Sequence, residues 1–173
     1  ISNEMKPTGA LRLRNASMRL AIDAVANGEA SGVVSAGNTG ALLALSQVVV
    51  KPLPGISRPA MAAIGPSVRG DVVLLDLGAN TECSARNLVQ FAIMGSVFFR
   101  TLLHFDRPSV GLLNIGSEDQ KGTESLREAA SVLRALPGAS MDFRGFVEGD
   151  DIGAGTVDVV VTDGFTGNVA LKT

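Results

Sequence analysis

Four short stretches of the sequence set glycines among amide, hydroxyl and acidic side chains, each directly after an apolar run. They are "SAGNTG" (35 to 40), "DLGAN" (76 to 80), "NIGSED" (114 to 119) and "TDGFTGN" (162 to 168). Glycine lets backbone N–H groups come close to a ligand, and Asn38, Asn80, Asn114 and Asn168 add neutral donors and acceptors. Where such a loop opens a helix, the helix field favours an anion. Lys121 and Lys172 follow two of the loops and can act as point charges toward phosphate. One such loop is also what any tight turn looks like. The argument for a site is that four of them end apolar strands, so that in a parallel sheet they share one edge.

Other chemistries find no support. There is no G-x-x-x-x-G-K-[ST] and no G-x-G-x-x-G after a strand, which disfavours a P-loop kinase and an ordinary dinucleotide-binding dehydrogenase. A single histidine, His104, makes a histidine-based metal site or a Ser-His-Asp triad hard to assemble. His104 reads as a helix-end residue. Cys83 has no histidine near it in sequence and reads as structural; being the one cysteine, it excludes an internal disulfide and fits a reducing cytoplasm. "RGD" at 69 to 71 reads as the turn before a strand. A net charge of -2, from 15 basic and 17 acidic residues without blocks of one sign, argues against nucleic acid as a partner.

The elements that must hold these loops follow from periodicity. "NASMRLAIDAVANGE" puts Met18, Ala21, Ile22 and Val25 on one helical face, with Asn15 or Ser17 as cap and Gly28 as stop. "GVVSAG" reads as a short buried strand and "TGALLALSQVV" as a helix. The uncharged run from Gly32 to Val50 is long enough to span a membrane, but its polar residues and glycines break it into strand, turn and helix. Pro52, Pro54, Gly55 and Pro59 mark a long connection. "DVVLLDLGAN" and "SVGLLNIG" read as buried strands. "ARNLVQFAIMGSVFFRTLLHF" and "GTESLREAASVLRAL" read as helices, the second stopped by Pro137-Gly138. "MDFRGFV" follows, and "VDVVVTDGFTGNVALKT" gives strand, turn and helix start. Strands alternating with helices of this length predict a parallel sheet, and apolar usage rich in Ala, Val, Leu and Ile with no Trp or Tyr fits strands buried on both faces. Ile1 opens a polar segment with no signal peptide, and "NVALKT" stops within a helical pattern, so the chain reads as an internal fragment.

Taken together, "VSAGNTGALLA", "LDLGAN", "LVQFAIMG", "VGLLNIGSEDQKG" and "DVVVTDGFTGNVALKT" closely resemble the bacterial phosphate acyltransferases of phospholipid synthesis. The likeness runs from about Lys6 to Thr173. Asp163, Gly167, Asn168 and Lys172 are also similar to the D-x-x-x-[GA]-N-x-x-x-K pattern of phosphotransacetylases. The resemblance implies an α/β fold, an α/β/α parallel-sheet sandwich of the isocitrate and isopropylmalate dehydrogenase-like type, in a two-domain protein with a cleft. Residues 1–173 would be its central part, without the family's first strand and last helices. It further implies a homodimer, no cofactor and no metal, acyl carrier protein and inorganic phosphate as partners, and a cytoplasmic enzyme able to touch the inner face of the membrane.

Phosphate is itself the nucleophile in that reaction, so the protein must supply position, charge and an oxyanion donor. On this reading Ser35, Gly37, Asn38, Thr39, Thr166 and Gly167 bind phosphate, and Asn168, Lys172 and Asp163 are the catalytic set. Asp76, Asn80, Asn114, Gly116 and Lys121 are further cleft candidates; Asp76 and Asp163 are read equally as turn-capping carboxylates. Phe91, Met94 and Phe98 are candidates for an acyl groove or for plain core, and Arg12, Arg14 and Arg19 for a patch facing the acidic carrier protein. A coenzyme A-dependent phosphotransacetylase, a related metal-dependent hydroxyacid dehydrogenase and a non-enzymatic membrane scaffold are the competing readings.

Overall fold

A computed structural model describes residues 1–136 and 140–173, so the expected Pro137-Gly138 helix stop lies outside the described residues. The chain divides into two compact units, Ile1–Pro59 and Ala60–Thr173.

The first unit is helical. Helices α1 (Pro7–Ala10), α2 (Ser17–Ala26) and α3 (Thr39–Val49) enclose a small core of Ala10, Met18, Ile22, Ala41 and Leu45. Met18 and Ile22 sit one turn apart on α2, as the period requires. Neither Asn15 nor Ser17 caps α2. Ala16 holds the N-cap position and offers no side-chain acceptor. The other end does stop at Gly28. Its φ of 77° lets its N–H reach Val25 O at 3.1 Å while Glu29 N reaches Ala24 O at 2.9 Å, closing a Schellman motif.

The expected buried strand over Gly32–Gly37 does not form. The segment has no partner strand among the described residues, and Val34 is fully exposed. Two valines supply β propensity, but a strand exists only through a ladder.

The second unit is a five-stranded sheet in the order β1-β2-β5-β3-β4, with β1 (Ala62–Ser67), β2 (Gly70–Leu75), β3 (Ser109–Leu113), β4 (Asp142–Val147) and β5 (Val159–Val161). Strands β2 to β5 run parallel, as expected. The exception is β1, an antiparallel edge strand joined to β2 by the turn at Val68 and Arg69, with Ala62 opposite Leu75. "RGD" thus supplies the end of that turn and the start of β2.

Alternation along the strands divides the core. Val73, Leu75, Val110, Leu112, Val159 and Val161 face α4 (Ala85–Leu103) and α5 (Glu124–Ala135). Val72, Leu74 and Val160 face the other way, toward Val147, Val157 and Ile152 of α6 (Gly149–Ala154). Phe91 is buried in the α4 side of the core, Met94 packs at its margin, and Phe98 is partly exposed. Helix α4 begins with a capping box between Ser84 and Asn87 and ends at His104 in the left-handed conformation, which confirms the helix-end reading of that histidine. The last element is α7 (Gly164–Ala170), capped by Asp163. No helix among the described residues is long and apolar enough to cross a membrane.

Candidate functional site

Three of the four polar loops belong to the second unit and follow the carboxyl ends of β2, β3 and β5. The loops after β2 and β5 interlock. Thr162 N donates to Leu75 O at 2.8 Å and Asp76 N to Thr162 O at 3.0 Å, carrying the ladder one residue past both strands. Asp76 is fully buried, and its carboxylate accepts four hydrogen bonds. Met61 N (2.9 Å) and Ala79 N (3.0 Å) donate to one oxygen; Asn80 N (2.7 Å) and Asn80 Nδ2 (2.8 Å) donate to the other. With each lone pair engaged, Asp76 is the pin of its turn.

Helix α7 rests on that turn through glycines. Gly164 N donates to Asn80 O at 2.7 Å, and a methyl on Gly164 would come within 2.9 Å of Asn80 backbone atoms. A methyl on Gly167 would strike the Asp76 carbonyl, and one on Gly78, whose φ is 130°, would meet Asn168 Nδ2 at 2.6 Å. Gly167 is therefore a packing residue: it is buried, and its N–H donates within the helix to Asp163 O at 2.9 Å. Asp163 accepts from Thr166 N at 2.9 Å and from Thr166 Oγ1 at 2.8 Å, so both donors of Thr166 are engaged in capping. The Asn168 amide is less committed. Its Nδ2 lies 3.5 Å from Leu77 O, at the limit of a hydrogen bond, and the residue is half-buried. Lys172 is exposed beyond the C-cap of α7.

Above these turns lies a cavity of about 560 Å³. Thr81, Glu82 and Cys83 form one wall, with Leu88 from α4 beneath. Thr123, Ser125 and Leu126 at the start of α5 form the second, and Asp163, Phe165 and Thr166 at the start of α7 the third. Of the residues assigned to the site from the sequence, Asp163 and Thr166 line it, as does Cys83, which the sequence presented as structural. Asp76, Asn80 and Gly167 support it from behind. Thr81 lies one residue beyond "DLGAN" and Ser125 in the first turn of α5, so neither carried a sequence signal, and Phe165 lies inside "TDGFTGN" but is an apolar side chain among its polar ones; Thr123 had a signal, as the N-cap of α5, where its hydroxyl accepts from Leu126 N at 3.3 Å.

The loop after β3 does not reach the cavity lining. Asn114 is buried, its Oδ1 accepts from Ile115 N at 2.9 Å, and its Nδ2 is buried without a hydrogen-bond partner among the described residues. Gly116 sits against the Glu118 and Lys121 side chains, and Lys121 itself is exposed.

In the first unit, Asn38 caps α3 by accepting from Ala41 N at 2.9 Å. Its Nδ2 donates to the carbonyls of Ser2, Asn3 and Met5 at 3.2, 3.1 and 3.0 Å. Ser35 Oγ accepts from Gly37 N at 3.2 Å, while Thr39 is exposed at the first position of α3. "SAGNTG" is thus a helix-opening turn whose amide side chain is spent on the fold. Arg12 and Arg14 are exposed; Arg19 is paired with Asp23 at 3.0 Å.

The chain resembles known proteins along its whole length. The family model described as "Fatty acid synthesis protein" matches residues 1–173. A protein of Acidiphilium cryptum named phosphate acyltransferase is 69% identical over all of this chain, which covers 45% of that protein. One of the same name from Gluconobacter oxydans is 66% identical, again over the whole chain and 47% of the relative. The chain thus spans about half the length of the curated relatives it matches. Among solved structures, the EutD phosphotransacetylase from Staphylococcus aureus superposes with a TM-score of 0.69 at 19% identity, over 98% of this chain and 58% of that one. A branched-chain phosphotransacylase from Enterococcus faecalis V583 gives a TM-score of 0.59 at 16% identity, over 90% and 62%. At such identities these two establish the α/β fold, of phosphotransacetylase-like type. The full-length family match and the relatives above 60% identity establish more: the chain belongs to the fatty acid synthesis protein family, among enzymes named phosphate acyltransferase.

Proposed function

We propose that the protein carrying this chain transfers an acyl group from acyl carrier protein to inorganic phosphate, giving acyl phosphate. The observation that carries the proposal is the 69% identity, over the whole chain, to a relative named phosphate acyltransferase. In the reaction a phosphate oxygen attacks the thioester carbonyl carbon and the C–S bond breaks. The thiol leaves with the proton that hydrogen phosphate gives up. No protein nucleophile is required.

Supporting Asn168 as the oxyanion donor, its amide makes one long hydrogen bond among the described residues, to Leu77 O. Lys172 offsets phosphate charge, and Asp163, which lines the cavity, takes the phosphate proton and passes it to the leaving thiolate. Within the first unit, Thr39 is an exposed member of the phosphate-binding candidates on its loop, Asn38 being engaged in its own turn. Removing one oxyanion donor lowers turnover by roughly 10²–10³. Asn168→Ala in the full-length protein is expected to lose that much kcat with little change in unfolding midpoint. Unchanged kcat would remove Asn168 from the catalytic set.

The overall reaction is tested by incubating the full-length protein with long-chain acyl carrier protein and phosphate and trapping acyl phosphate with hydroxylamine. Phosphate-dependent product supports the proposal. Product from acyl-coenzyme A alone would move the protein to phosphotransacetylase chemistry. The same proposal includes a homodimer able to touch the membrane, read by light scattering and by co-sedimentation with anionic vesicles.

A further inference from the structure

The cavity between the starts of α4, α5 and α7 does not suit the anion that the reaction consumes. Glu82 and Asp163 line it, and none of its lining residues is a lysine or arginine. The N-termini of two long helices, α4 and α5, adjoin it, and each contributes about half a positive charge. Their sum, about one unit, leaves two carboxylates undercompensated, so a phosphate dianion is repelled. A neutral ligand with amide and hydroxyl groups meets the opposite situation. The two carboxylates accept its N–H and O–H groups, the hydroxyls of Thr81 and Ser125 offer both donors and acceptors, and Leu88 and Phe165 cover its methyl and methylene groups. A volume of about 560 Å³ accommodates an extended arm of that kind.

We propose that this cavity holds the neutral pantetheine arm of the acyl donor, with the thioester end toward Asp163 and Asn168, and that phosphate enters from outside it. The inference rests on the acyl-transfer reading above and divides that site into two: a donor slot of mixed polarity between the helices, and a phosphate position supplied, apart from Asp163 at the edge of the slot, by residues outside the lining.

Cys83 offers a readout independent of turnover, because its half-buried thiol borders the cavity. In the full-length protein, alkylation of Cys83 by N-ethylmaleimide is followed by peptide mass with pantetheine, hexanoyl-pantetheine or inorganic phosphate present. Either pantetheine compound near ten times its dissociation constant should slow labelling about tenfold, with phosphate changing it less than about twofold. Protection by phosphate, or none from pantetheine, overturns the proposal. Independently, Ser125→Phe should raise KM for the acyl donor about tenfold and leave KM for phosphate within about twofold. The reverse split overturns the assignment, and Thr81→Phe, on the facing wall, reads the same split if the first variant does not fold. A wild-type protein that makes no acyl phosphate would sink the reaction proposed above, whereas the labelling result decides what the cavity binds.

Discussion

Asp76 and Gly167 meet at the contact on which the second unit's site depends, and each is intolerant for a different reason. The Asp76 carboxylate receives four N–H donors in a setting with no exposure to water. Asp76→Asn replaces one acceptor oxygen by an NH2 group that faces donors. Hydrogen bonds to a charged group contribute about 1.5–3 kcal/mol each, so the variant should lose about 3 kcal/mol or more of unfolding free energy in urea. A loss under about 1 kcal/mol would mean that the turn holds without its pin. At Gly167 the obstacle is space, because the atom a methyl would strike is a backbone carbonyl that cannot swing aside. Gly167→Ala should cost about 1–3 kcal/mol, read from the same urea midpoint. Gly153, inside α6 with nothing within 4 Å of an added methyl, is the contrast. There alanine should stabilise by about 0.5–1 kcal/mol.

Among the elements, those with a long apolar period and a polar cap were legible in the sequence. Helix α3 occupies the eleven residues read as "TGALLALSQVV", and α4 begins at Ala85 because Ser84 and Asn87 close a capping box. What could not be read depends on neighbours. Strand β1, "AAIGPS", contains Gly, Pro and two alanines and has little β propensity; it is a strand because β2 is there to pair with it. The opposite error, the strand expected over Gly32–Gly37, has valines and no partner. Helix α6, "GDDIGA", is too short for a period and is started by the Asp151 carboxylate accepting from Glu148 N at 2.8 Å. The candidate site divides in the same way. The loops were visible as motifs, but which of their donors are already spent, as in Asn38 and Thr166, is a matter of geometry.

For the whole molecule, the division at Pro59 makes the connection from Lys51 to Pro59 the exposed path between two separately packed units. Its sequence, "KPLPGISRP", places proline after Lys51, Leu53 and Arg58. Trypsin and chymotrypsin cut poorly before proline, so both should spare this connection, while thermolysin should cut at Gly55–Ile56 and separate the chain at the junction. Mass analysis of a timed digest checks this, and early cuts inside α4 or α5 instead would mean that the second unit opens before the connection is reached.

The seating of Gly164 and Gly167 on the turn below them has one more consequence. A helix advances about 100° per residue, and these two positions, three apart, face the same backbone only at this spacing. Deleting a single residue between them would turn a side chain into the Asp76 carbonyl and swing Asn168 off Gly78. The stretch from Asp163 to Asn168 therefore works as a length gauge: substitutions at the outward-facing Phe165 can be absorbed, but a change in the number of residues cannot, whatever their kind.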